Sequence, residues 1–165
     1  AGTEASGTSN MKMVMNGALT MGTLDGANIE IREAVGEENF FLFGRTASEL
    51  AQLREQGYNP WDRYHANPEL RQALDMIASG FFSPDDPVRF QPLVDSLLQG
   101  GDRYALLEDY SDFLTAQDAV DRLYLDPDEW SRRAILNVAR SGIFSSDRAI
   151  QTYADEVWGV SPRRT

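Results

Sequence analysis

Two short apolar runs, each bounded by glycine, stand out in the first part of the chain. They cover residues 18–22 and residues 39–43. Runs of this length and composition are typical of buried strands in a parallel sheet. Between them, the turn that ends in Gly26 leads to Asn28, which we predict to be the N-cap of a helix ending at Gly36. The order strand, helix, strand with short links predicts a βαβ unit.

A short helix is predicted ahead of the first strand. The hydroxyl of Thr8 or Ser9 can cap its start, and Asn16 followed by Gly17 is typical of its end. One face of this helix carries the apolar residues Met11, Val14 and Met15. The spacing predicts that this face packs against the rest of the domain.

From residue 45 onward the pattern predicts helices and no further strand. Helix starts are indicated by the capping box of Thr46 and Glu49, and then by Asn67, Asp126 and Ser146. Another helix is predicted before residue 100 from apolar positions at helical spacing, namely Phe90, Leu93, Val94, Leu97 and Leu98. Seven aromatic residues of this part are predicted to lie mainly in the core and not to form a sugar-stacking surface, namely Tyr58, Trp61, Tyr64, Tyr104, Trp130, Tyr153 and Trp158. His65 is predicted to lie in a polar loop.

Two strands do not make a self-sufficient sheet, so most of the sheet is expected outside this sequence. The chain also begins at Ala1 without an initiator methionine, which suggests a cut through a longer protein. If the sheet is divided, residues 19–21 and residues 40–43 lose their neighbouring strands. We therefore expect the isolated chain to be partly molten.

The composition of the chain argues against several classes of partner and of binding site. The chain has 165 residues, a formal net charge of −11 and one histidine, and it contains no cysteine. The negative charge argues against a nucleic-acid or anionic-membrane partner. Disulfides, thiolate metal sites and a histidine-based metal site or triad are not expected. No apolar run is long enough to span a membrane, and a cytoplasmic location is expected.

Lys12 is the only lysine among the 15 basic residues of the chain. Unlike arginine, it can bind a carbonyl compound covalently through its amine. Thr8 and Ser9 lie four and three residues earlier, so they share its helix face at a distance of about one turn, roughly 5.4 Å. A helix N-terminus suits a phosphate, and this separation is similar to the span of pyridoxal phosphate. By spacing alone, a capped surface helix with a solvated lysine is the commoner arrangement.

The residues themselves are more specific than their spacing. The segments around Lys12 are GTEASGTSNMK at residues 2–12, NGALT at residues 16–20 and GTLDGAN at residues 22–28. Later segments are GEEN at residues 36–39, FLFG at residues 41–44, GFFSP at residues 80–84 and SGIFSSDR at residues 141–148. Together they closely resemble the C-terminal part of the α-glucan phosphorylases, and most of all that of bacterial glycogen phosphorylases.

This resemblance implies a role for each matching residue. Lys12 corresponds to the lysine that holds pyridoxal 5'-phosphate, and Thr8 and Ser9 to the corner that holds the cofactor phosphate. The residues that would hydrogen-bond the glucosyl unit are Glu4, Ser6 and Gly7. Many family members have glycine where this chain has Ser9, and serine fits there only if its backbone is helical.

The family resemblance also implies a fold and a reaction. The fold is α/β, the C-terminal part of a GT-B Rossmann-like domain, with the cofactor-site helix and βαβ unit in residues 1–44 and a helical segment in residues 45–165. The reaction is phosphorolysis of terminal α-1,4-glucosidic bonds of glycogen or another α-glucan. Inorganic phosphate is the cosubstrate, α-D-glucose 1-phosphate the product, and the cofactor's phosphate the proton donor and acceptor.

The same resemblance implies that much of the active site lies outside this chain. The substrate-phosphate site and the N-terminal part of such an enzyme are absent, so we expect the isolated chain to be inactive. The full-length protein is expected to be a homodimer. Two alternatives remain open: a maltodextrin phosphorylase, and a non-catalytic helical interaction module derived from a phosphorylase.

Overall fold

The computed structural model describes residues 1–3 and 7–161. Within these residues, a small parallel sheet is followed by a long helical segment. The strands are β1 (Thr20–Gly22) and β2 (Phe40–Leu42). The α-helices are α1 (Thr8–Met15), α2 (Ala27–Val35), α3 (Ala47–Glu55), α4 (Pro60–Ala66), α5 (Pro68–Ala78), α6 (Gln91–Leu98), α7 (Leu106–Tyr124), α8 (Pro127–Arg140) and α9 (Ser146–Thr152). Short 3₁₀ turns cover Glu37–Asn39 and Ser141–Phe144, and a π-helical turn covers Tyr153–Trp158.

The predicted βαβ unit is present. β1 and β2 are parallel neighbours, with Thr20 opposite Phe40 and Gly22 opposite Leu42. Helix α2 connects them, as the order of apolar runs predicted. Each strand is three residues long, shorter than its apolar run. The described part of the chain is therefore an α/β fragment in which helices predominate.

A first apolar cluster holds α1 and α2 against the sheet. Its fully buried members are Val14 of α1 with Ile31 and Val35 of α2, and Phe40 of β2 joins them. Met11 packs against the edge of this cluster. Of the predicted apolar face of α1, Val14 and Met11 therefore face the core, whereas Met15 is exposed.

A second apolar cluster lies within the helical segment, between α5, α6 and α7. Its buried members are Leu70, Leu74, Val94, Leu98 and Leu107. Of the apolar positions predicted for α6, Val94 and Leu98 belong to this cluster and Leu97 packs against it, whereas Leu93 is 57% exposed. This cluster gives the region from α4 to α7 a core of its own.

Several predicted helix starts are confirmed by their hydrogen bonds. Thr46 accepts from the backbone N–H of Glu49 at 3.3 Å, and the Glu49 carboxylate accepts from the backbone N–H of Thr46 at 2.8 Å. The side chain of Asn67 caps α5, and that of Asp126 caps α8. Helix α9 instead has Ser145 as its N-cap, one residue before the predicted Ser146.

Two helices were not predicted, α4 and α7. Because α4 includes His65, the prediction of a polar loop there was wrong, although the imidazole is exposed. Its ring stacks on that of Trp61, with 6.0 Å between the ring centroids. Short i,i+4 contacts of this kind are made possible by the helical turn.

The aromatic residues divide into core and surface groups. Trp61 and Tyr64 pack against the second apolar cluster, as predicted. The core prediction was wrong for Tyr104, Tyr153 and Trp158, which are 54%, 52% and 56% exposed. Helical spacing predicts that a helix has an apolar face, but it does not show whether that face is buried or is left exposed by the described residues.

Candidate functional site

Helix α1 is positioned by a close contact between two helix starts. Gly7 is the N-cap of α1, in place of the hydroxyl cap predicted at Thr8 or Ser9. A Cβ atom added to Gly7 would lie 2.0 Å from the Cβ of Ala27, the first residue of α2. The φ of Gly7 is −98°, which any residue can adopt. Space, not backbone conformation, therefore requires glycine at this position.

A pair of side-chain amides joins α1 to the carboxyl end of β1. Asn10 donates from Nδ2 to Oδ1 of Asn28 at 2.7 Å, and Asn28 donates from its own Nδ2 to the carbonyl of Thr23 at 3.0 Å. The predicted N-cap role of Asn28 was wrong, because Gly26 is the N-cap of α2. Asn28 is buried within the first turn of α2 and makes a tertiary contact instead.

Asp25 anchors the segment that enters the site. Its carboxylate accepts from the backbone N–H groups of Gly2 at 2.6 Å, Thr3 at 3.0 Å and Gly26 at 2.9 Å. A carboxylate bound by several backbone N–H groups holds the chain firmly. Glu4 and Ser6 follow directly, but they lie outside the described residues, so their predicted sugar contacts stay predictions.

The remaining predicted site residues lie together on α1. Thr8, Ser9 and Lys12 are all exposed, and Ser9 lies within the helix, where its backbone is free of strain. The condition expected for serine at this position, a helical backbone, is therefore met. Within the described part of the chain, no hydrogen bond or ion pair involves the ammonium group of Lys12. Asn16 donates from Nδ2 to the Lys12 carbonyl at 2.7 Å, which secures the helix end.

The charge distribution on α1 suits an anion at its start. Its first turn, all of which the structure describes, carries no acidic side chain, and its last turn carries Lys12. The positive end of the helix dipole is therefore not compensated by a carboxylate of the helix itself. Lysine near the other end also favours helix formation. The exposed amine, the hydroxyls and the helix start fit a ligand that has both a carbonyl and a phosphate group.

A cavity of about 610 Å³ opens beside this arrangement, between the β1–α2 loop and α7. Its lining includes Thr23, Asp25 and Phe43, together with Asp109 and Phe113 of α7. Asp109 accepts from the backbone N–H of Arg45 at 2.8 Å, and its burial raises the pKa of its carboxyl group. None of the site residues on α1 lines this cavity.

Sequence reasoning missed Asp25, Asn28 and Asn10 as residues that organise the site. The turn at Asp25 and Gly26 indicated a loop, yet the contacts of this loop with α1 and the entering segment are tertiary. Among the residues that the structure describes, no group of three or more His, Asp or Glu side chains could hold a metal ion. In the same residues, no helix is both long and apolar enough to cross a membrane.

Several known proteins are similar in sequence to this chain over nearly its whole length. The family model for carbohydrate phosphorylases matches residues 1–160. A glycogen phosphorylase of Synechocystis sp. is 55% identical over 162 residues, which are 98% of this chain and 19% of that protein. The muscle form of glycogen phosphorylase from Homo sapiens is 51% identical over 164 residues, 99% of this chain and 19% of that protein. The brain form from Rattus norvegicus is 52% identical over 162 residues, 98% of this chain and 19% of that protein. The chain thus spans about a fifth of the length of these relatives.

Proposed function

This chain belongs to the carbohydrate phosphorylase family, and we propose that it is the cofactor-holding portion of a glycogen phosphorylase. The complete protein would transfer terminal glucosyl units of glycogen to inorganic phosphate and release α-D-glucose 1-phosphate. The relatives named glycogen phosphorylase support this proposal, since they share 51–55% of their residues with the chain in the matched region.

One observation carries the proposal. Lys12, the only lysine, is exposed and unpaired within the described residues, about one helical turn beyond Thr8 and Ser9. Its helix begins with Gly7 packed on α2 beside the carboxyl end of a parallel strand. Ligands of parallel α/β folds commonly bind at this edge of the sheet.

The residues of α1 would hold pyridoxal 5'-phosphate. Lys12 would bind the cofactor's carbonyl carbon through its amine, while Thr8, Ser9 and the helix start would bind its phosphate. When bound, the cofactor supplies a phosphate group that exchanges protons with the substrate phosphate.

The segment ahead of α1 would bind the sugar. Glu4 and Ser6, with the backbone of Gly7, would orient hydroxyl groups of the terminal glucosyl unit, since carboxylates and backbone amides are strong partners for a polyol. Asp25 would hold this segment in register through Gly2 and Thr3. The chain's own contribution is therefore to place the sugar and the cofactor phosphate close together.

The remaining active-site parts would come from sequence outside this chain. We assign residues 1–165 to the C-terminal part of a GT-B Rossmann-like domain, with the cofactor site in residues 1–44 and helices in residues 45–165. The complete protein would be a cytoplasmic homodimer. Because the substrate-phosphate site would lie outside these residues, the isolated chain would be inactive.

A chimeric enzyme tests this function. The matching segment of the Synechocystis glycogen phosphorylase is replaced by this chain, and formation of glucose 1-phosphate from glycogen and phosphate is measured. We expect activity with one pyridoxal phosphate per chain, and a loss of at least a thousandfold in Lys12→Ala. Lys12→Arg is the matched control for charge, and it should be equally inactive because a guanidinium does not bind the carbonyl group.

Other results would point to the alternatives. A strong preference for short maltodextrins over glycogen would favour a maltodextrin phosphorylase. A folded chimera without cofactor and without activity would overturn the proposal and favour a non-catalytic interaction module. The exposed apolar side chains of α9 and the following π-helical turn are the feature that speaks for such a module.

A further inference from the structure

We propose that Asn28 is a positioning residue that acts through Asn10 to fix α1, and with it Lys12, against the carboxyl end of β1. This inference rests on the proposed function, since it concerns the geometry of the cofactor site. Asn28 itself would touch neither cofactor nor substrate. Its role would be to set where the amine and the hydroxyls of α1 stand.

The amide of Asn28 is held on three sides. Oδ1 accepts from Asn10, Nδ2 donates to the carbonyl of Thr23, and the side chain is 7% exposed. Behind it lies Gly22, where an added Cβ would come within 2.6 Å of the Asn28 Nδ2. Only one orientation of the amide satisfies both partners, because Asn10 donates and Thr23 accepts.

The contact connects three elements at one point. Thr23 follows β1, Asn28 belongs to α2 and Asn10 belongs to the first turn of α1. Val14 anchors the other end of α1 in the first apolar cluster. Asn10 is thus a polar attachment of α1 at the end where the cofactor phosphate would bind.

The consequence for Lys12 follows from the stiffness of a helix. Asn10 and Lys12 are two residues apart on an eight-residue helix, so they move together. A displacement of about 1 Å at a reacting group is enough to reduce reactivity strongly. Removing the Asn28 amide leaves the Asn10 donor and the Thr23 carbonyl without their partner, which favours such a displacement.

The test uses the chimeric holoenzyme described above. Variants Asn28→Ala, Asn10→Ala and the double variant are compared with Asn39→Ala as matched control. Asn39 is also a buried asparagine, which donates to the Val35 carbonyl at 2.8 Å at the other end of the sheet. Pyridoxal phosphate affinity is measured at a temperature well below each unfolding midpoint, together with hydrogen exchange of the α1 amides without cofactor.

We expect Asn28→Ala and Asn10→Ala each to weaken cofactor binding about tenfold, as the loss of a part-buried hydrogen bond predicts. The double variant should bind the cofactor no more weakly than Asn28→Ala alone, because Asn10→Ala then removes no further contact. Exchange of the α1 amides should rise about tenfold in Asn28→Ala. Asn39→Ala should lower the unfolding midpoint but change the affinity less than twofold.

Two results would overturn the inference. If Asn28→Ala lowers the midpoint yet leaves cofactor affinity unchanged, the residue is structural only. If the effects of the two single variants add in full, Asn28 does not act through Asn10. A chimera that binds no cofactor at Lys12 would instead refute the proposed function. In that case equal α1 exchange in Asn28→Ala and Asn39→Ala would refute the positioning role as well.

Discussion

At the scale of single residues, Gly7 shows how a missing side chain can set the geometry of a site. The starts of α1 and α2 touch at this residue, because nothing larger than hydrogen fits between Gly7 and Ala27. The anion-binding end of α1 is thereby placed beside the β1–α2 loop. This contact was not visible in the sequence, where the family resemblance indicated Gly7 only as a residue that would hydrogen-bond the glucosyl unit.

The Gly7→Ala substitution tests this contact. The added Cβ would require α1 and α2 to separate, and overpacking of this kind costs about 1–3 kcal/mol. We expect a loss of that size in the free energy of unfolding, measured with urea, together with weaker pyridoxal phosphate binding in the chimera. Gly142→Ala is the control, since an added Cβ there meets nothing within 4 Å. Equal stability of the two variants would contradict the close contact.

Site residues could be predicted from the sequence where their interactions are local, and not where their partners are distant in the sequence. Thr8, Ser9 and Lys12 share one helix face through local geometry, so spacing and family resemblance were sufficient to group them. Asn28 was wrongly predicted as an N-cap because asparagine near a helix start usually caps it. Its actual partners are Asn10 and Thr23, and contacts with residues 18 and 5 positions away are not encoded in local spacing.

At the scale of elements, the start of α7 depends on a buried carboxylate. Asp102 is 1% exposed and accepts from the backbone N–H groups of Leu106 at 2.9 Å and Leu107 at 2.8 Å. The Tyr58 hydroxyl donates to the same carboxylate at 2.9 Å. Burial, and then the hydrogen bond to Asp102, raise the pKa of this hydroxyl above its ordinary value near 10.

The raised pKa of Tyr58 predicts a loss of stability at alkaline pH. Above about pH 10 the unfolded chain releases the Tyr58 proton while the folded chain keeps it, so the free energy of unfolding falls as pH rises. The expected slope from this group is about −1.4 kcal/mol per pH unit. Below pH 10 its contribution is fully present and constant.

Tyr58→Phe isolates this contribution. The variant should be less stable by about 1–2 kcal/mol at pH 8 because one hydrogen bond to a buried carboxylate is lost. Above pH 10 the difference from the unsubstituted chain should shrink, as measured by urea unfolding at several pH values. Tyr64 and Tyr110, whose pKa values are also raised, are present in both proteins and cancel. A difference that stays constant up to pH 12 would contradict the prediction.

Of the two helices that were missed, α7 has a start that no local side chain caps, whereas α4 was missed although Asn59 caps it. The starts of α3, α5 and α8 have a local side-chain cap, and these were found. Helix α7 begins after Ala105, which has a positive φ of 55° and no cap of its own. Its capping carboxylate comes from Asp102, four residues before Leu106 and across a tight loop. Such an arrangement depends on the folded loop and has no simple sequence pattern.

At the scale of the whole molecule, α9 and the π-helical turn after it present an apolar surface that the described residues leave exposed. Neither α9 nor the following π-helical turn contains a buried residue. Their exposed apolar side chains are Ile150, Tyr153, Val157 and Trp158, all more than half exposed. The relatives are about five times as long as this chain, so they have further sequence that can cover such a surface. The sequence pattern predicted the helix correctly but not whether its apolar face would be covered.

This surface predicts association of the isolated chain. Contiguous exposed apolar side chains favour contact between molecules, although the net charge of −11 opposes it. We expect concentration-dependent self-association of the 165-residue chain in sedimentation experiments at moderate salt. The double variant Ile150→Glu and Val157→Glu should weaken it at least tenfold, since it places two charges within the contact.

The control variant must show whether weaker association results from the position of the added charges or only from their number. Leu125 and Ile135 are 83% and 67% exposed and lie outside the C-terminal surface, so Leu125→Glu with Ile135→Glu adds the same charge elsewhere. This variant should associate nearly as well as the unsubstituted chain. If both double variants weaken association equally, general repulsion explains the result and the C-terminal surface has no special part in it. If neither double variant weakens association, the contact forms elsewhere. The edges of the two-stranded sheet are then the next region to test. The expectation that the isolated chain is partly molten would be tested in the same experiments.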